Sequence, residues 1–236
     1  MKPDTRPPTS DDEELLEAET AIIDTRYNDD SRIARIDEEL RHGFKTLAHL
    51  GKAVSIFGSA RTPPDHPEYE AARAAARRLG AEGFAIITGG GPGIMEAANR
   101  GAREAGVPSI GLDIELPLEQ AMNDWVDLPL VFHYFFTRKV MFVRYASAFV
   151  VFPGGFGTLD EMFEAATLRQ TEKIRHFPII LVGSAYWSGL LDWLAGPVLA
   201  GGKINQTDID RLCLVDDLED VVDLIEAVEH RRPRAA

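Results

Sequence analysis

The sequence predicts an α/β fold in which a doubly wound parallel sheet carries helices on both faces. Short apolar segments alternate with longer segments of helical periodicity from residue 52 onward, and this alternation is typical of parallel sheets. Two of the apolar segments run directly into glycine-rich turns that lead into a predicted helix. Because crossovers between parallel strands are right-handed, the expected architecture is a Rossmann-like sandwich.

The N-terminal region differs in composition from the rest. Residues 1–10 are rich in Pro and Thr and are expected to be disordered. An acidic helix is predicted over 11–24 and a second helix over 31–49. An apolar stripe on the second helix comprises Ile33, Ile36, Leu40, Phe44 and Leu47. We expect residues 1–49 to form an acidic helical extension. This extension either is solvated or packs against the core or a neighbouring subunit, and the apolar stripe favours packing.

The first βαβ unit begins at Lys52. Residues 52–57 form a short apolar strand that ends in the small-residue turn Gly58–Arg61. The alanine-rich amphipathic segment 67–82 predicts a helix that ends at Gly83, since glycine favours the left-handed conformation that closes helices. Residues 84–88 (FAIIT) then form the second strand.

A glycine turn follows this second strand. Residues 89–93 (GGGPG) introduce a predicted helix over 94–104, which Gly106 terminates. Ser109–Asp113 is the third strand. Residues 114–127 lack a clear period and predict a loop beyond the end of that strand.

A second strand, glycine turn and helix occur later in the chain. Residues 128–134 and 148–152 are apolar and predict the fourth and fifth strands, with a helix over 137–146 between them. The fifth strand stops at Pro153, and three glycines follow within four positions. The helical segment 158–173 comes next.

The remaining segments complete the sheet. Residues 178–182 form a sixth strand, 186–199 a helix that Gly201 and Gly202 interrupt, and 213–215 a short last strand. A closing helix is predicted over 218–230. We therefore expect one Rossmann-like catalytic domain over residues 50–231, followed by a tail at 232–236.

Charge and composition exclude several classes of function. The net charge is −13, and most of it arises within residues 1–40, so nothing resembles a basic nucleic-acid footprint. No apolar run is long enough for a membrane helix, and the N-terminus lacks the apolar core of a signal peptide. The single Cys213 excludes an internal disulfide and a cysteine zinc site and fits a reducing cytoplasm. The six histidines are dispersed, so no metal site is predicted.

The segment Val150–Glu161 (VVFPGGFGTLDE) points to chemistry on a phosphorylated molecule. Glycines let the backbone approach a ligand closely, and the N–H groups and dipole of a helix start favour an anion. Glu161 lies just inside the predicted helix, where its carboxylate could reach the same ligand. The alternative interpretation is a glycine-rich turn needed only for packing.

The first glycine turn, at residues 89–93, is not a dinucleotide fingerprint. It follows the second strand, and no clear ribose-binding acid stands about 20 residues further on, Asp113 being the nearest candidate. No nucleoside-triphosphate P-loop is present. Both glycine turns, Gly58–Ser59 and the loop around Glu119 follow strands, so these four segments are expected to meet at one crevice.

These residues match a known family. The segments GGGPGIMEAANRGA (89–102) and PGGFGTLDE (153–161), with Arg138–Lys139 between them, resemble the LOG family of cytokinin riboside 5′-monophosphate phosphoribohydrolases. Proteins of this family have long been mislabelled as lysine decarboxylases. The resemblance covers about residues 50–230. The N-terminal arm lies outside it and looks like that of the longer bacterial branch of the family.

The resemblance implies hydrolysis of the N-glycosidic bond of a purine nucleoside 5′-monophosphate, with adenine or an N6-modified adenine as the base. It implies Glu161 and Arg138 as catalytic residues. It also implies a homodimer or higher homo-oligomer with the site near the subunit interface, and no metal or redox cofactor. The residues expected to bind substrate are Ser59, Gly90, Gly91, Glu96, Glu119, Lys139, Gly154, Gly155, Phe156, Gly157 and Thr158.

The sequence departs from the family pattern at two positions. Glu96 stands where many members have glycine, and Asp160 stands where glutamate is common. Individual residues also have structural interpretations: Glu161 and Glu96 as acids that complement helix dipoles, and Arg138 with Lys139 as a solvated helix face.

Two other functions are possible from the sequence. A nucleotide or molybdenum-cofactor carrier shares this general architecture and would bind without turnover. A lysine decarboxylase needs pyridoxal phosphate on a Schiff-base lysine, and no lysine has an identifiable setting for it.

Overall fold

Seven parallel strands form one sheet in the order β4-β3-β2-β1-β5-β6-β7. The structure is a computed structural model that describes residues 29–115, 121–174 and 177–229. The predicted helix over 11–24, the N-terminal segment 1–10, Glu119 and the tail 232–236 lie outside the described residues. The strands are β1 Ala53–Phe57, β2 Ala85–Thr88, β3 Ser109–Ile114, β4 Leu128–Phe132, β5 Ala148–Val151, β6 Ile179–Val182 and β7 Leu212–Val215.

Helices connect the strands and cover both faces of the sheet. The described helices are α1 Asp29–Leu47, α2 Pro67–Ala81, α3 Ile94–Ala105, α4 Phe135–Tyr145, α5 Phe156–Gln170, α6 Ser184–Trp193, α7 Gln206–Asp210 and α8 Leu218–Glu229. No helix in this described part of the chain combines the length and apolar character needed to cross a bilayer.

The central strands are buried on both faces. Along β1, Ala53 and Phe57 belong to one hydrophobic cluster, whereas Val54 and Ile56 belong to the other. Successive side chains of a strand point to opposite faces, so a strand between two helix layers must be apolar at nearly every position. Every residue of β1, β2, β5 and β6 is buried.

The two hydrophobic clusters correspond to the two helix layers. One cluster takes side chains from α2, α3 and α8, including Leu79, Ala98 and Ile225. The other takes side chains from α1, α4, α5 and α6, including Leu47 and Trp187. The predicted fold class, a doubly wound parallel sheet with helices on both faces, is confirmed.

Several element boundaries differ from the prediction. Helix α5 begins at Phe156 rather than at residue 158, so Glu161 lies in its second turn. The helix predicted over 186–199 is divided: α6 ends at Trp193, and the segment Leu194–Val198 is kinked at Gly196, whose backbone is non-helical (φ −85°, ψ −106°). Pro197 follows directly and cannot donate an intrahelical hydrogen bond, which fits a kink at this point. The short helix α7 was not predicted.

Helix α1 packs against the sheet domain of the same chain. Leu47 is buried in the core and Leu40 packs against it, whereas Ile33 is exposed. The apolar stripe of the N-terminal region is therefore partly covered by the chain's own α4 and core. The division into an extension at 1–49 and a catalytic domain remains a proposal.

Candidate active site

The candidate site lies where the strand order reverses. From β1 the chain proceeds through β2, β3 and β4 on one side, and then returns to place β5 on the other side of β1. Ligands of doubly wound sheets bind at this switch point, beyond the carboxyl ends of the strands. A cleft of about 680 Å³ occupies that position and is lined by Phe57, Gly58, Ser59, Ala60, Arg61, Gly89, Gly91, Met95, Asp113, Ile114, Phe135, Arg138, Phe142, Gly155, Phe156, Gly157, Thr158 and Glu161.

The turn after β5 brings the start of α5 to the cleft. A Cβ atom at Gly154 would overlap the side chain of Thr158, so this tight turn requires glycine. Around Gly155 and Gly157 there is open space. Because the first turn of α5 contains no acidic residue, its N–H groups and dipole are suited to an anion. Gly155, Phe156, Gly157 and Thr158 line the cleft, whereas Gly154 lines a smaller neighbouring pocket of about 360 Å³.

Glu161 lies at the bottom of the cleft with its carboxylate almost fully buried. The residue is only 4% exposed, and its Oε2 atom has no hydrogen-bond partner among the described residues. Burial raises the pKa of Glu161 to about 7, against the opposing effect of the positive charges of Arg138 and Lys139. A buried carboxyl group that titrates near neutrality is typical of catalytic acids and bases.

Arg138 extends from α4 toward this carboxylate. Its Nη2 atom lies 3.8 Å from Oε1 of Glu161. The guanidinium also lies over the rings of Phe135 and Phe142, 5.2 and 5.5 Å from their centroids. Contacts of this kind between a cation and aromatic faces restrict the side chain. The structure therefore brings the two predicted catalytic residues together in one cleft.

Asp113 is a second carboxyl group in the cleft, and sequence reasoning missed it as a site residue. It lies on β3 and receives a hydrogen bond from the backbone N–H of Ile114 (2.9 Å). Burial raises the pKa of Asp113, while this hydrogen bond and the charge of Arg138 lower it. The signal in the sequence was its position near the carboxyl end of a buried strand, next to the predicted crevice.

Lys139 does not line the cleft. Its Nζ atom lies 2.8 Å from Asp160 and 2.8 Å from Glu164, so it joins α4 to α5 outside the site. Burial lowers the pKa of Lys139, but the two carboxylates outweigh this effect and leave the pKa above its ordinary value. Lys139 therefore links two helices, and its predicted contact with substrate stays a prediction.

The glycine turn after β2 forms another wall of the cleft. Gly89 and Gly91 line it, whereas Gly90, with φ of 76°, packs against Gly111 and Met122. A Cβ atom at Gly93 would collide with the backbone of Ser59, so this glycine lets two site segments touch.

Asn123 fixes the conformation of that turn. Its Nδ2 atom donates to the carbonyl oxygens of Gly90 and Gly91, both at 2.9 Å, and to Oδ1 of Asn99 at 3.0 Å. The sequence had only predicted a loop here. Asn123 therefore couples the loop before β4 to the wall of the cleft.

Of the predicted substrate-binding residues Glu96 and Ser59, Ser59 lines the cleft and Glu96 does not. Oε1 of Glu96 accepts a hydrogen bond from the hydroxyl of Tyr69 (2.9 Å), and Glu96 is not among the residues that line the cleft. Ser59 lines the cleft, and its Oγ atom accepts from the N–H of Arg61 (3.1 Å). Glu96 is therefore joined to Tyr69 of α2, and its expected contact with substrate stays a prediction.

Metal and pyridoxal chemistry each require particular side chains in the site. Within the described ranges no group of three or more His, Cys, Asp or Glu side chains is arranged to hold a metal ion. None of the residues that line the cleft is a lysine, and a pyridoxal enzyme needs one for its Schiff base. The residues of this cleft do not fit pyridoxal phosphate.

Comparison with known proteins gives the following similarities. A family model described as "Possible lysine decarboxylase" matches residues 95–225. A cytokinin riboside 5′-monophosphate phosphoribohydrolase of Mycobacterium marinum is 30% identical over 172 residues, which cover 72% of this chain and 90% of that protein. A pyrimidine/purine nucleotide 5′-monophosphate nucleosidase of Escherichia coli is 30% identical over 130 residues, which cover 49% of this chain and 28% of that protein.

A similar solved structure is that of the molybdenum cofactor carrier protein of Chlamydomonas reinhardtii. It has a TM-score of 0.57 and 20% sequence identity, and the match covers 76% of this chain and 98% of that chain. At this identity the likeness concerns the fold alone.

Proposed function

This chain belongs to the LOG family, and from that premise we propose that it hydrolyses the N-glycosidic bond of a purine nucleoside 5′-monophosphate. Water adds its hydroxyl to C1′ of the ribose, the base leaves with a proton, and ribose 5-phosphate is the second product. The observation that carries the proposal is the buried carboxylate of Glu161, whose Oε2 atom has no hydrogen-bond partner among the described residues, beside Arg138 in the cleft. The relatives, a phosphoribohydrolase and a nucleotide nucleosidase, support the same class of reaction.

The 5′-phosphate is proposed to bind at the first turn of α5. Gly155 and Gly157 leave space there, and the residues of this helix start line the cleft, where a helix N-terminus favours an anion. Thr158, in the same turn, offers a hydroxyl group. Ser59 and Gly91 line the facing walls and are proposed to contact the nucleotide.

Glu161 is proposed to act at C1′. Cleavage of a glycosidic bond passes through a state with positive charge on the sugar, which a carboxylate stabilises, or the carboxylate orients the attacking water. Arg138 is proposed to keep Glu161 ionised when substrate is bound and to contact the phosphate or the leaving base. Asp113 also lines the cleft and is proposed to contact the nucleotide.

The pKa of Glu161 predicts a pH dependence. If the ionised carboxylate is the active form, kcat/KM for AMP should rise about tenfold per pH unit below pH 7 and level off above it. The measurement is the initial rate of adenine release between about pH 5.5 and 9. The second ionisation of a phosphate falls near pH 6, so a limb about one unit higher belongs to the enzyme. A profile that is flat from about pH 6 to 8 would contradict this role.

Product analysis tests the reaction. Chromatography of mixtures of pure protein with AMP, or with isopentenyladenosine 5′-monophosphate, should show free base and ribose 5-phosphate in equal amounts. The faster substrate distinguishes nucleotide salvage from cytokinin production. A nucleotide or cofactor carrier would retain its ligand and release no base, and that result would overturn the proposal. A cytoplasmic location, expected from the single cysteine, stays a prediction.

A homo-oligomer is the proposed assembly. Exposed apolar side chains of α4 and α5 lie on neighbouring helices beside the cleft, which fits a contact with a second copy of the chain. These residues are Phe135, Phe136, Val140, Phe156 and Phe163. Phe156, at the edge of the cleft, is 93% exposed.

A charge in this surface should separate the subunits. Val140→Glu places a carboxylate in a face that would be desolvated by association, so light scattering after size exclusion should show a shift from oligomer to monomer. The matched control is Ile33→Glu, an equally large change at an exposed apolar residue of α1. Monomeric wild-type protein at micromolar concentration would exclude the assembly.

A further inference from the structure

Helix α4, which carries Arg138, begins without a capping group from its own segment. The side chain of its N-terminal flanking residue, Tyr134, makes no capping hydrogen bond, and its first turn contains no acidic residue. A helix start exposes N–H groups and a partial positive charge, which are normally satisfied by a nearby oxygen or carboxylate.

A carboxylate from α1 lies at this helix start. Oε1 of Glu39 accepts a hydrogen bond from the backbone N–H of His133 (2.9 Å), and the His133 ring atom Nδ1 lies 2.7 Å from the same oxygen. Oε2 of Glu39 accepts from the hydroxyl of Thr137 (2.6 Å). Glu39 is only 8% exposed. An acidic residue is almost never buried to this degree unless it is paired.

Other residues of α1 also contact α4 and so fix the position of Glu39. A Cβ atom at Gly43 would lie 2.8 Å from Sδ and Cε of Met141, so glycine permits the close approach of α1 and α4. The hydroxyl of Tyr145 donates to the carbonyl oxygen of Phe44 (3.2 Å). Contacts therefore join the two helices at both ends of α4.

The contacts of Glu39 lie next to Arg138 in the chain. Thr137 directly precedes Arg138, and the N–H of Arg138 donates to the carbonyl oxygen of Tyr134 (3.3 Å) in the same first turn. We propose that Glu39 is a positioning residue that acts as a cap from the N-terminal extension, through the N–H of His133 just before α4 and the hydroxyl of Thr137 in its first turn, and so holds Arg138 near Glu161. This inference rests on the proposed function for its catalytic consequence. It gives the extension, which lies before the residues matched by the family model, a role at the site.

The test compares Glu39→Gln with Glu38→Gln. Both substitutions remove one charge from α1, but Glu38 is exposed to solvent whereas Glu39 is buried. Hydrogen exchange of the His133 and Arg138 amides should become about fivefold faster in E39Q, as expected when a cap is weakened, and stay unchanged in E38Q. In E39Q, kcat for base release should also fall about fivefold or more, with no such loss in E38Q.

A double-mutant comparison separates positioning from general destabilisation. In an Arg138→Ala background, E39Q should cause no further loss of kcat, since the group that it positions is absent. Equal exchange rates in E39Q and wild type would overturn the inference, and so would an equal loss of kcat in both backgrounds. If E39Q does not fold, Thr137→Val removes a donor to Glu39 from the other side and is expected to give the same exchange result.

The exchange measurement does not require turnover. A wild-type protein that releases no base would reject the proposed function, whereas unchanged amide exchange in E39Q would reject the cap. The two failures are therefore distinguishable.

Discussion

Replacing Glu161 by glutamine should lower base release from AMP by about three orders of magnitude while the fold persists. The amide keeps the size of the side chain but can neither carry a negative charge nor accept a proton from water. The residue is 4% exposed, and its Oε1 atom lies 3.8 Å from Nη2 of Arg138. Adenine release, followed by chromatography, measures the loss.

The control for this variant is Glu164→Gln. Glu164 lies almost one turn further along α5 and pairs with Lys139, which keeps its second partner, Asp160, when Glu164 is changed. E164Q should therefore retain activity within a few-fold of wild type. Full activity in E161Q would remove Glu161 from the mechanism.

The same substitution should stabilise the protein above neutral pH. The pKa of Glu161 is raised from 4.5 to about 7 in the folded state, so the folded protein binds the proton more tightly than the unfolded chain. The free energy of unfolding then falls as pH rises from about 4.5 to 7, by up to roughly 3 kcal/mol. The glutamine side chain cannot ionise, and E161Q should melt several degrees higher than wild type at about pH 8, since each kcal/mol shifts Tm by about 2–4 °C. The difference in melting temperature should vanish near pH 4.5.

Arg138→Ala is expected to lower kcat about a hundredfold and to move the pH profile upward. The charge of Arg138 lowers the pKa of Glu161, and its removal leaves the carboxyl group buried without this compensation. The rising limb of kcat/KM should therefore lie above about pH 7 in the variant. Rates of base release across about pH 6 to 9.5 measure both effects.

Arg144→Ala is the matched control on the same helix. Arg144 is exposed and lies over the ring of Phe44, away from the cleft. The control should leave both kcat and the position of the limb unchanged. A loss of activity in R138A without any shift of the limb would mean that Arg138 contacts substrate but does not tune Glu161.

The sheet, and the convergence of the turns that follow its strands at one cleft, could be predicted because they depend on local sequence patterns. Apolar strands buried on both faces, such as β1 and β5, are visible as short continuous runs. Parallel strands then bring their carboxyl ends to one edge. Gly89, Gly155 and Glu161 therefore line one cleft although they are distant in sequence.

Side-chain partners across different elements could not be predicted in the same way. Spacing alone gave no indication that Lys139 turns to Asp160 and Glu164, or that Tyr69 holds Glu96. These contacts depend on how helices rotate against each other, which a local period does not specify.

The capping of α4 by a residue of another helix also could not be predicted from the sequence. A cap is normally sought in the residue just before the helix, whereas Glu39 lies on another helix altogether, 98 residues before Thr137. The apolar stripe on α1 indicated that this helix packs against another part of the protein, but not against which part.

The most direct test of the central claim is a comparison of base release from AMP and from adenosine by the pure wild-type protein. If the first turn of α5 binds the 5′-phosphate and Glu161 acts at C1′, adenine should appear from AMP at a rate far above that from adenosine. Equal rates from both would contradict the phosphate site. No adenine from either would contradict the proposed reaction itself.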